Sequence, residues 1–444
     1  MSETENKIMF REEGEMVEFI VLAFLLVSAA MLAVRCLSAV GLKIAFPEKI
    51  NALGFKGGIQ RRFSMGDTGK VFCCAFLFRF VIFAAAFLCI FLNSSAKITM
   101  EEAVSQFVRW DAYHYIQLVE KGYAGYTENG QPLFLVFFPL YVWMVRLVKL
   151  IIPSTLLAGV FLSFLSYSWG CCWVYKLAVK LYNKKVGVNS LLFMSLFPFS
   201  FFFGSMMTES LFLLTTAAAC YYALSHKWLA FGLWGTLAAA TRMTGLLVIV
   251  PAGIELLRHY RPLASPIRQS LQNCWKKVAL RIPLVLLPLL GTGSYLLLNY
   301  RVSGNMFMFA TQQKHWHQGF MPMPNVAGYL IDYFKMHSHD TDGFALWLPE
   351  VVLLVLFSAI FLLSVRDKKI PSSLLAYALV YLVATYSLSW LLSAGRYLSA
   401  CFIFFILAAK LVEKKEMLQT MIISGEAVFL GIYLFAHMTG AQIM

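Results

Sequence analysis

The residues best placed to do chemistry are Asp111 and His114 in Arg109-Trp110-Asp111-Ala112-Tyr113-His114-Tyr115, followed by Gly122-Tyr123 and Phe137-Phe138-Pro139. The stretch is polar and aromatic and lies between long apolar runs, so a carboxylate sits at the rim of a membrane among aromatic rings. Loops of this kind present polar groups on a rigid scaffold. A carboxylate beside aromatic faces is suited to taking a proton from a sugar hydroxyl. His114, three residues on, shares a helical face with Asp111 and can orient or tune it. The plainer alternative is that Asp111 only caps a short interfacial helix.

Other charged groups stand out because ionisable side chains inside a membrane are costly and mark sites by default. Glu209, in Met207-Thr208-Glu209-Ser210, falls at a break between two short apolar segments. It either caps the helix that follows or lines a cavity, where it can orient an acceptor hydroxyl or pair with Arg242. Arg242 sits in Thr241-Arg242-Met243-Thr244-Gly245, and Arg396 in Ser393-Ala394-Gly395-Arg396-Tyr397. Each either snorkels to headgroups or binds phosphate, which a guanidinium does in planar, bidentate fashion. Arg79 lies within an apolar run and either snorkels towards the cytoplasmic headgroups or meets a polar partner. His315-Trp316-His317 brings two imidazoles around an indole, fit for phosphate or sugar contact or for an ordinary surface loop. Neither that triplet nor the His337/His339/Asp340/Asp342 group has metal-ligand spacing, so no metal site and no cofactor are expected.

The elements that must position these groups follow from composition. Of 444 residues, 60% are hydrophobic and only 14% charged, with mean hydropathy +0.70. Soluble domains carry about 25% charged residues, so this is an all-α polytopic membrane protein. The net charge of +14 comes from short basic clusters between apolar segments, as the positive-inside rule arranges them, and a nucleic-acid partner is excluded. The nine cysteines form neither a disulfide framework nor a CxxC metal pattern.

At roughly 20 apolar residues per crossing, spans are expected near 18–40, 71–92, 155–175, 187–204, 209–225, 228–242, 244–257, 282–299, 346–364, 372–392, 397–412 and 420–437. That is about twelve, with both termini outside. The basic stretches 41–70 and 258–281 then lie in the cytoplasm, and Asn93-Ser94-Ser95 is an outer glycosylation acceptor in a eukaryotic secretory setting. Residues 133–152 contain Arg146, Lys149 and Pro139, are followed by Pro153, and suit an interfacial or partly re-entrant helix better than a span. The chain reads as one membrane domain: N-terminal spans (18–92), an outer catalytic loop with interfacial helices (93–153), a helical core (154–299), an outer loop (300–345) and C-terminal spans (346–444). Asp111, Glu209, Arg242, the 300–345 loop and Arg396 all fall on the outer side.

Taken together, these residues resemble GPI mannosyltransferase 2 and its prokaryotic relatives, of the GT-C class of membrane glycosyltransferases. Trp110-Asp111-Ala112 with His114, Gly122-Tyr123, Phe137-Phe138-Pro139, Thr208-Glu209-Ser210-Leu211-Phe212 and Thr241-Arg242-Met243-Thr244-Gly245-Leu246 carry the likeness. It covers about residues 70–260, and reaches the C-terminal third only through Trp316 and Gly395-Arg396. The resemblance implies a GT-C-type bundle whose outer-side loops transfer mannose, with inversion, from a polyprenyl or dolichyl phosphate donor to a GPI-precursor-like glycolipid. Asp111 would be the general base, with Glu209 and His114 beside it. Arg242 and Arg396 would stabilise the departing lipid phosphate, and Arg79, Trp110, Tyr123, His315, Trp316 and His317 would supply further substrate contacts. The N-terminal span, the 41–70 loop and the 300–345 loop depart from that family, which keeps a protein or another glycolipid open as acceptor. The host membrane would be the plasma membrane of a prokaryote or the endoplasmic reticulum of a eukaryote. A transporter or flippase of lipid-linked sugars is the competing class. It would favour inverted repeats, and none is visible. A membrane subunit without catalysis is the third.

Overall fold

The computed structural model describes residues 3–42, 65–93, 99, 106–262, 264 and 266–443, and every regular element among them is helical. Most of the expected cytoplasmic segment 41–70, and Ser94 and Ser95 of the glycosylation acceptor, lie outside the described residues. Five helices are long and apolar enough to cross a membrane: Gly14–Val40, Gly66–Asn93, Thr155–Leu181, Gly343–Ser364 and Glu416–Thr439. The first two bury only 17% and 22% of their most apolar windows within the protein, leaving Phe19, Ile20, Leu26, Leu77, Phe80 and Leu88 exposed. Apolar surface on that scale belongs against lipid, where a helix also satisfies its own backbone. Thr155–Leu181 is instead the central post, 67% buried, packed by Met65–Asn93, Lys184–Leu196 and Glu209–Leu224.

The remaining seven expected spans coincide with shorter helices: Lys184–Leu196, Glu209–Leu224, Trp228–Thr241, Ile249–Tyr260, Pro288–Ser303, Ser372–Thr385 and Phe402–Leu411, each of 10 to 16 residues. None reaches the ~20 residues of a full crossing, so length alone supports five spans and leaves the count of about twelve to the hydropathy pattern. The interruptions have local causes. Pro198 and the 3-10 turn Ser200–Gly204 stop the segment expected at 187–204. Arg242 is fully extended (φ −155°, ψ 154°) and parts Trp228–Thr241 from the 3-10 turn Met243–Val248.

Residues 133–152 form a 3-10 turn, Leu133–Val136, and a ten-residue helix, Pro139–Val148, with proline at its first position. Proline fits there because the missing N–H has no helical partner anyway. Arg146 donates to the carbonyls of Val119 (2.9 Å) and Leu118 (3.1 Å), locking this helix to Asp111–Gly125. The stretch 300–345, a loop by its polarity, is in fact largely helical. Met323–Met336 packs on Glu3–Val40 through Asn325 and Gly328, which meet Glu18, and on its other face it buries Met323, Val326, Ala327 and Leu330. Their i, i+3, i+4, i+7 spacing is an amphipathic stripe that polar neighbours disguise.

Gly291 sets how closely Pro288–Ser303 crosses Trp228–Thr241. A Cβ there would overlap the Thr236 carbonyl oxygen and lie 2.8 Å from the Ala240 nitrogen, whereas one on Gly293 would meet nothing within 4 Å. Gly291→Ala should therefore cost about 1–3 kcal/mol through overpacking, read as a lower melting temperature of the detergent-solubilised protein. Gly293→Ala should melt at or above the wild-type temperature.

Candidate active site

Two acids open two helices and two arginines meet them. Asp111 is the first residue of Asp111–Gly125 and Glu209 the first of Glu209–Leu224, where the helix dipole favours negative charge. Neither helix has a side-chain N-cap, so Asp111 does not serve as a cap. Its Oδ2 instead accepts from the Arg396 guanidinium at 2.5 Å, and Arg396 Nε lies 2.6 Å from Glu209 Oε1. Arg242, just beyond the C-terminus of Trp228–Thr241, pairs with the same Glu209 oxygen and donates through Nε to Thr208 Oγ1 at 2.7 Å. The order along the cluster is Asp111, Arg396, Glu209, Arg242, with charges that sum to zero. Asp111 is its open end: its side chain is 32% exposed, against 9% for Arg396 and none for Glu209.

Aromatic faces enclose the cations. Tyr397 lies between the guanidiniums, with its ring centroid 5.4 Å from Arg242 and 5.5 Å from Arg396, while Phe212 and Phe202 flank them from beyond. Cation–π contact adds to the hold on a desolvated guanidinium. Tyr115 is buried, and the charges of Asp111, Arg242, Glu209 and Arg396 all reach its hydroxyl, whose pKa is raised first by burial and then by Asp111. Trp110, immediately before Asp111, takes φ 51° and ψ −128° at the second position of the Arg109–Ala112 turn, with Ala112 N–H bonded to the Arg109 carbonyl at 3.1 Å. These are the angles of a type II′ turn, where glycine is usual. Such strain persists only where the surroundings fix it. Here Arg109 supplies the anchor, reaching the Met438 carbonyl at 2.7 Å.

Glu350 is a contributor that sequence reasoning missed. Its buried carboxylate accepts the backbone N–H of Ala394 through both oxygens, at 2.9 and 3.2 Å. Ala394 begins the short helix Ala394–Ser399 that carries Arg396. On the far side, a Cβ on Gly395 would meet the Phe199 ring at 2.5 Å, so only glycine lets that helix seat so closely. Phe199 also walls an apolar groove of about 540 Å³, lined with Phe197, Leu353, Phe357, Phe404, Phe405 and Tyr433. The Phe199 ring thus stands between the groove and the helix that bears the arginine.

The other expected site residues fall elsewhere. His114 does not bond Asp111: its Nδ1 meets Tyr126 Oη at 3.0 Å and its ring stacks on Phe134. Trp316 also borders Phe134, 6.3 Å between centroids. Tyr123 donates to the Phe137 carbonyl at 3.0 Å, holding the loop beneath the site. His315 packs edge-on to Trp316. The His317 carbonyl accepts from Ser389 Oγ at 2.8 Å, tying this loop to the segment that leads to Arg396. Arg79 spends its donors on the carbonyls of Ser195 and Ser200 and lies 4.4 Å from the Tyr167 ring centroid. It supports the turn that carries Phe202 and makes no contact with the acids. A separate buried acid, Glu255, is fully committed to Arg258 and Ser373.

Residues 131–291 match the family model of dolichyl-phosphate-mannose-protein mannosyltransferase. The matched stretch holds Glu209 and Arg242 and stops short of Asp111 on one side and Arg396 on the other. It covers somewhat over a third of the chain and supports a membrane glycosyltransferase of the GT-C type, without singling out the GPI enzyme. No curated protein matches the chain.

Two outcomes test this geometry. Glu209→Leu leaves two buried guanidiniums without their shared carboxylate and should cost roughly 3–5 kcal/mol. Glu209→Leu/Arg242→Leu should recover part of that loss, so melting temperatures around the cycle should be non-additive. Burial lowers the His114 pKa from its ordinary value, against the raising pull of Asp111 and Glu128. Its neutral form is therefore the one the fold prefers. The stabilisation is complete above about pH 6.5 and is lost as pH falls below it. Acidification should speed amide exchange around His114 and Tyr126, and His114→Gln should remove that pH dependence.

Proposed function

We propose that the chain is a membrane glycosyltransferase of the GT-C type that moves mannose from a polyprenyl (dolichyl) phosphate donor to an acceptor hydroxyl, with inversion. The observation that carries this is the Asp111–Arg396–Glu209–Arg242 cluster, two of whose members lie in the matched segment. Asp111 takes the proton of the acceptor hydroxyl, the acceptor oxygen forms its bond to the mannose anomeric carbon, and the bond from that carbon to the phosphate oxygen breaks. General-base help of this kind contributes typically 10²–10⁴-fold. The lipid phosphate leaves with the bonding electrons onto Arg396 and Arg242, and fixed cations aimed at developing charge often contribute more than the base does. The apolar groove that ends at Phe199 fits the polyprenyl chain. No transport reading finds comparable support, because the charged groups gather at one cluster and not along a path.

The donor and the acceptor arrive in an order on this scheme. Arg396 holds Asp111 Oδ2. A donor phosphate offers the guanidinium a bidentate partner and frees the carboxylate for the acceptor. The acceptor is a protein or a glycolipid, and the family match favours a protein. On this reading His315, Trp316 and His317 contact it from the outer side.

Membranes carrying the wild type or Asp111→Asn, given radiolabelled polyprenyl-phosphate mannose, test the proposal. Wild type should label a protein or lipid fraction, and Asp111→Asn should lose at least 10²-fold with a smaller drop in melting temperature than Glu209→Leu shows. Arg396→Lys keeps the charge but loses the fork, and should weaken donor use more than acceptor use. Equal labelling by wild type and Asp111→Asn would remove Asp111 from the mechanism. No labelling by a folded wild type would exclude this donor.

A further inference from the structure

We infer that the helix Ile267–Ala279 lies in the plane of the membrane surface and binds the headgroups of anionic phospholipids. It joins Ile249–Tyr260 to the apolar pair Ile282–Leu286 and Pro288–Ser303, so its ends are held at the margin of the bundle. Cys274 and Val278 bury one edge of its apolar arc against the protein. The other edge, Ile267, Leu271 and Trp275, recurs at i, i+4, i+8 on one face and stays 44%, 37% and 60% exposed. Leu280 and Ile282 continue that open surface beyond the helix. An amphipathic helix of low overall hydrophobicity, with Trp and Leu on one face and Lys and Arg beside them, sinks its apolar side into the boundary between headgroups and acyl chains.

Charge identifies which lipid it meets. Arg268 follows the apolar stripe around the helix, Lys276 and Lys277 close its last turn, and all three are exposed. None has an acidic partner among the described residues. The sequence from 256 to 331 contains no Asp or Glu at all, so nothing nearby on the chain neutralises them. Arg281, by contrast, is engaged, donating to the Lys277 carbonyl at 3.0 Å and lying over the Tyr260 ring. A basic edge flanking an apolar stripe complements an anionic leaflet, where each Lys or Arg near the surface is worth about fivefold in binding. The positive-inside rule puts this segment on the cytoplasmic side, opposite the Asp111 cluster, so the surface is independent of the transfer chemistry.

The test is amide exchange over 267–279 in the full chain, in nanodiscs of phosphatidylcholine alone or of an equal mixture with phosphatidylglycerol. Exchange should be several-fold slower in the mixed discs, and added salt should narrow the difference by screening. Arg268→Gln/Lys276→Gln/Lys277→Gln should abolish the difference at an unchanged melting temperature. The wild-type comparison decides on its own if that variant does not fold. Equal exchange in both discs would overturn the inference. So would protection in neutral discs brought on by inorganic phosphate alone, or protection that appears only with two copies per disc, which would make the stripe a contact between chains.

Discussion

Arg396 bridges two carboxylates from distant parts of the chain, 2.5 Å from Asp111 and 2.6 Å from Glu209, with its side chain almost wholly buried. Removing ions from water costs several kcal/mol apiece, and close pairing offsets that cost only when geometry and further hydrogen bonds are good. Here the offset is shared four ways. Glu209 serves two arginines, Thr208 takes another Arg242 donor, and Tyr397 lies between both guanidiniums. The result is neutral as a whole but polarised, with its least buried carboxylate facing out.

That arrangement places demands on the rest of the bundle. Carboxylates at the first position of a helix and an arginine just past the end of one require helix termini inside the protein, not at two membrane surfaces. Glu209–Leu224, Trp228–Thr241 and Ala394–Ser399 are short because their ends meet at this charged cluster. Long helices such as Thr155–Leu181 do the crossing and give the short ones something to pack against. Glu350 then fixes the N-terminus of the Arg396 helix, and Phe199 presses on Gly395 from the other side. A carboxylate that meets a backbone N–H fixes direction as well as distance, which an ion pair between long side chains does not.

The members of the cluster were legible because charge is scarce in so apolar a chain, and Asp111, Glu209, Arg242 and Arg396 each interrupt an apolar run. Which of them touch was not legible, since Asp111 and Arg396 are 285 residues apart. Arg79 interrupts an apolar run just as conspicuously, yet it binds main-chain carbonyls of the Ser195–Ser200 segment. Composition does not distinguish an arginine that holds backbone from one that awaits an anion. Glu350 was missed for the reverse reason. Its partner is an amide of Ala394, and no residue type betrays a backbone amide. The five long helices follow from hydropathy, and so do the breaks before Glu209 and at Arg242, whereas the earlier stop at Leu196 falls inside a segment that hydropathy runs on to 204. The helix Met323–Met336 was hidden by polar neighbours, although its buried stripe was present in the spacing.

On the proposed mechanism, the neutrality of the cluster explains how two steps are timed to each other. A polyprenyl phosphate sugar is a phosphodiester with one negative charge, and its departing lipid phosphate carries a second. The acceptor proton arrives on Asp111 as that second charge forms. Protonation removes the competing negative charge beside Arg396 at the moment the phosphate gains one, so the field of a guanidinium already on the phosphate falls wholly on the leaving group. Glu209 lies between the two arginines and offsets their mutual repulsion. On this proposal the more exposed acid, Asp111, is the one to exchange a proton, and the buried Glu209 the one to stay fixed. A low local dielectric strengthens that coupling, and the aromatic enclosure of Tyr397, Phe202 and Phe212 supplies it.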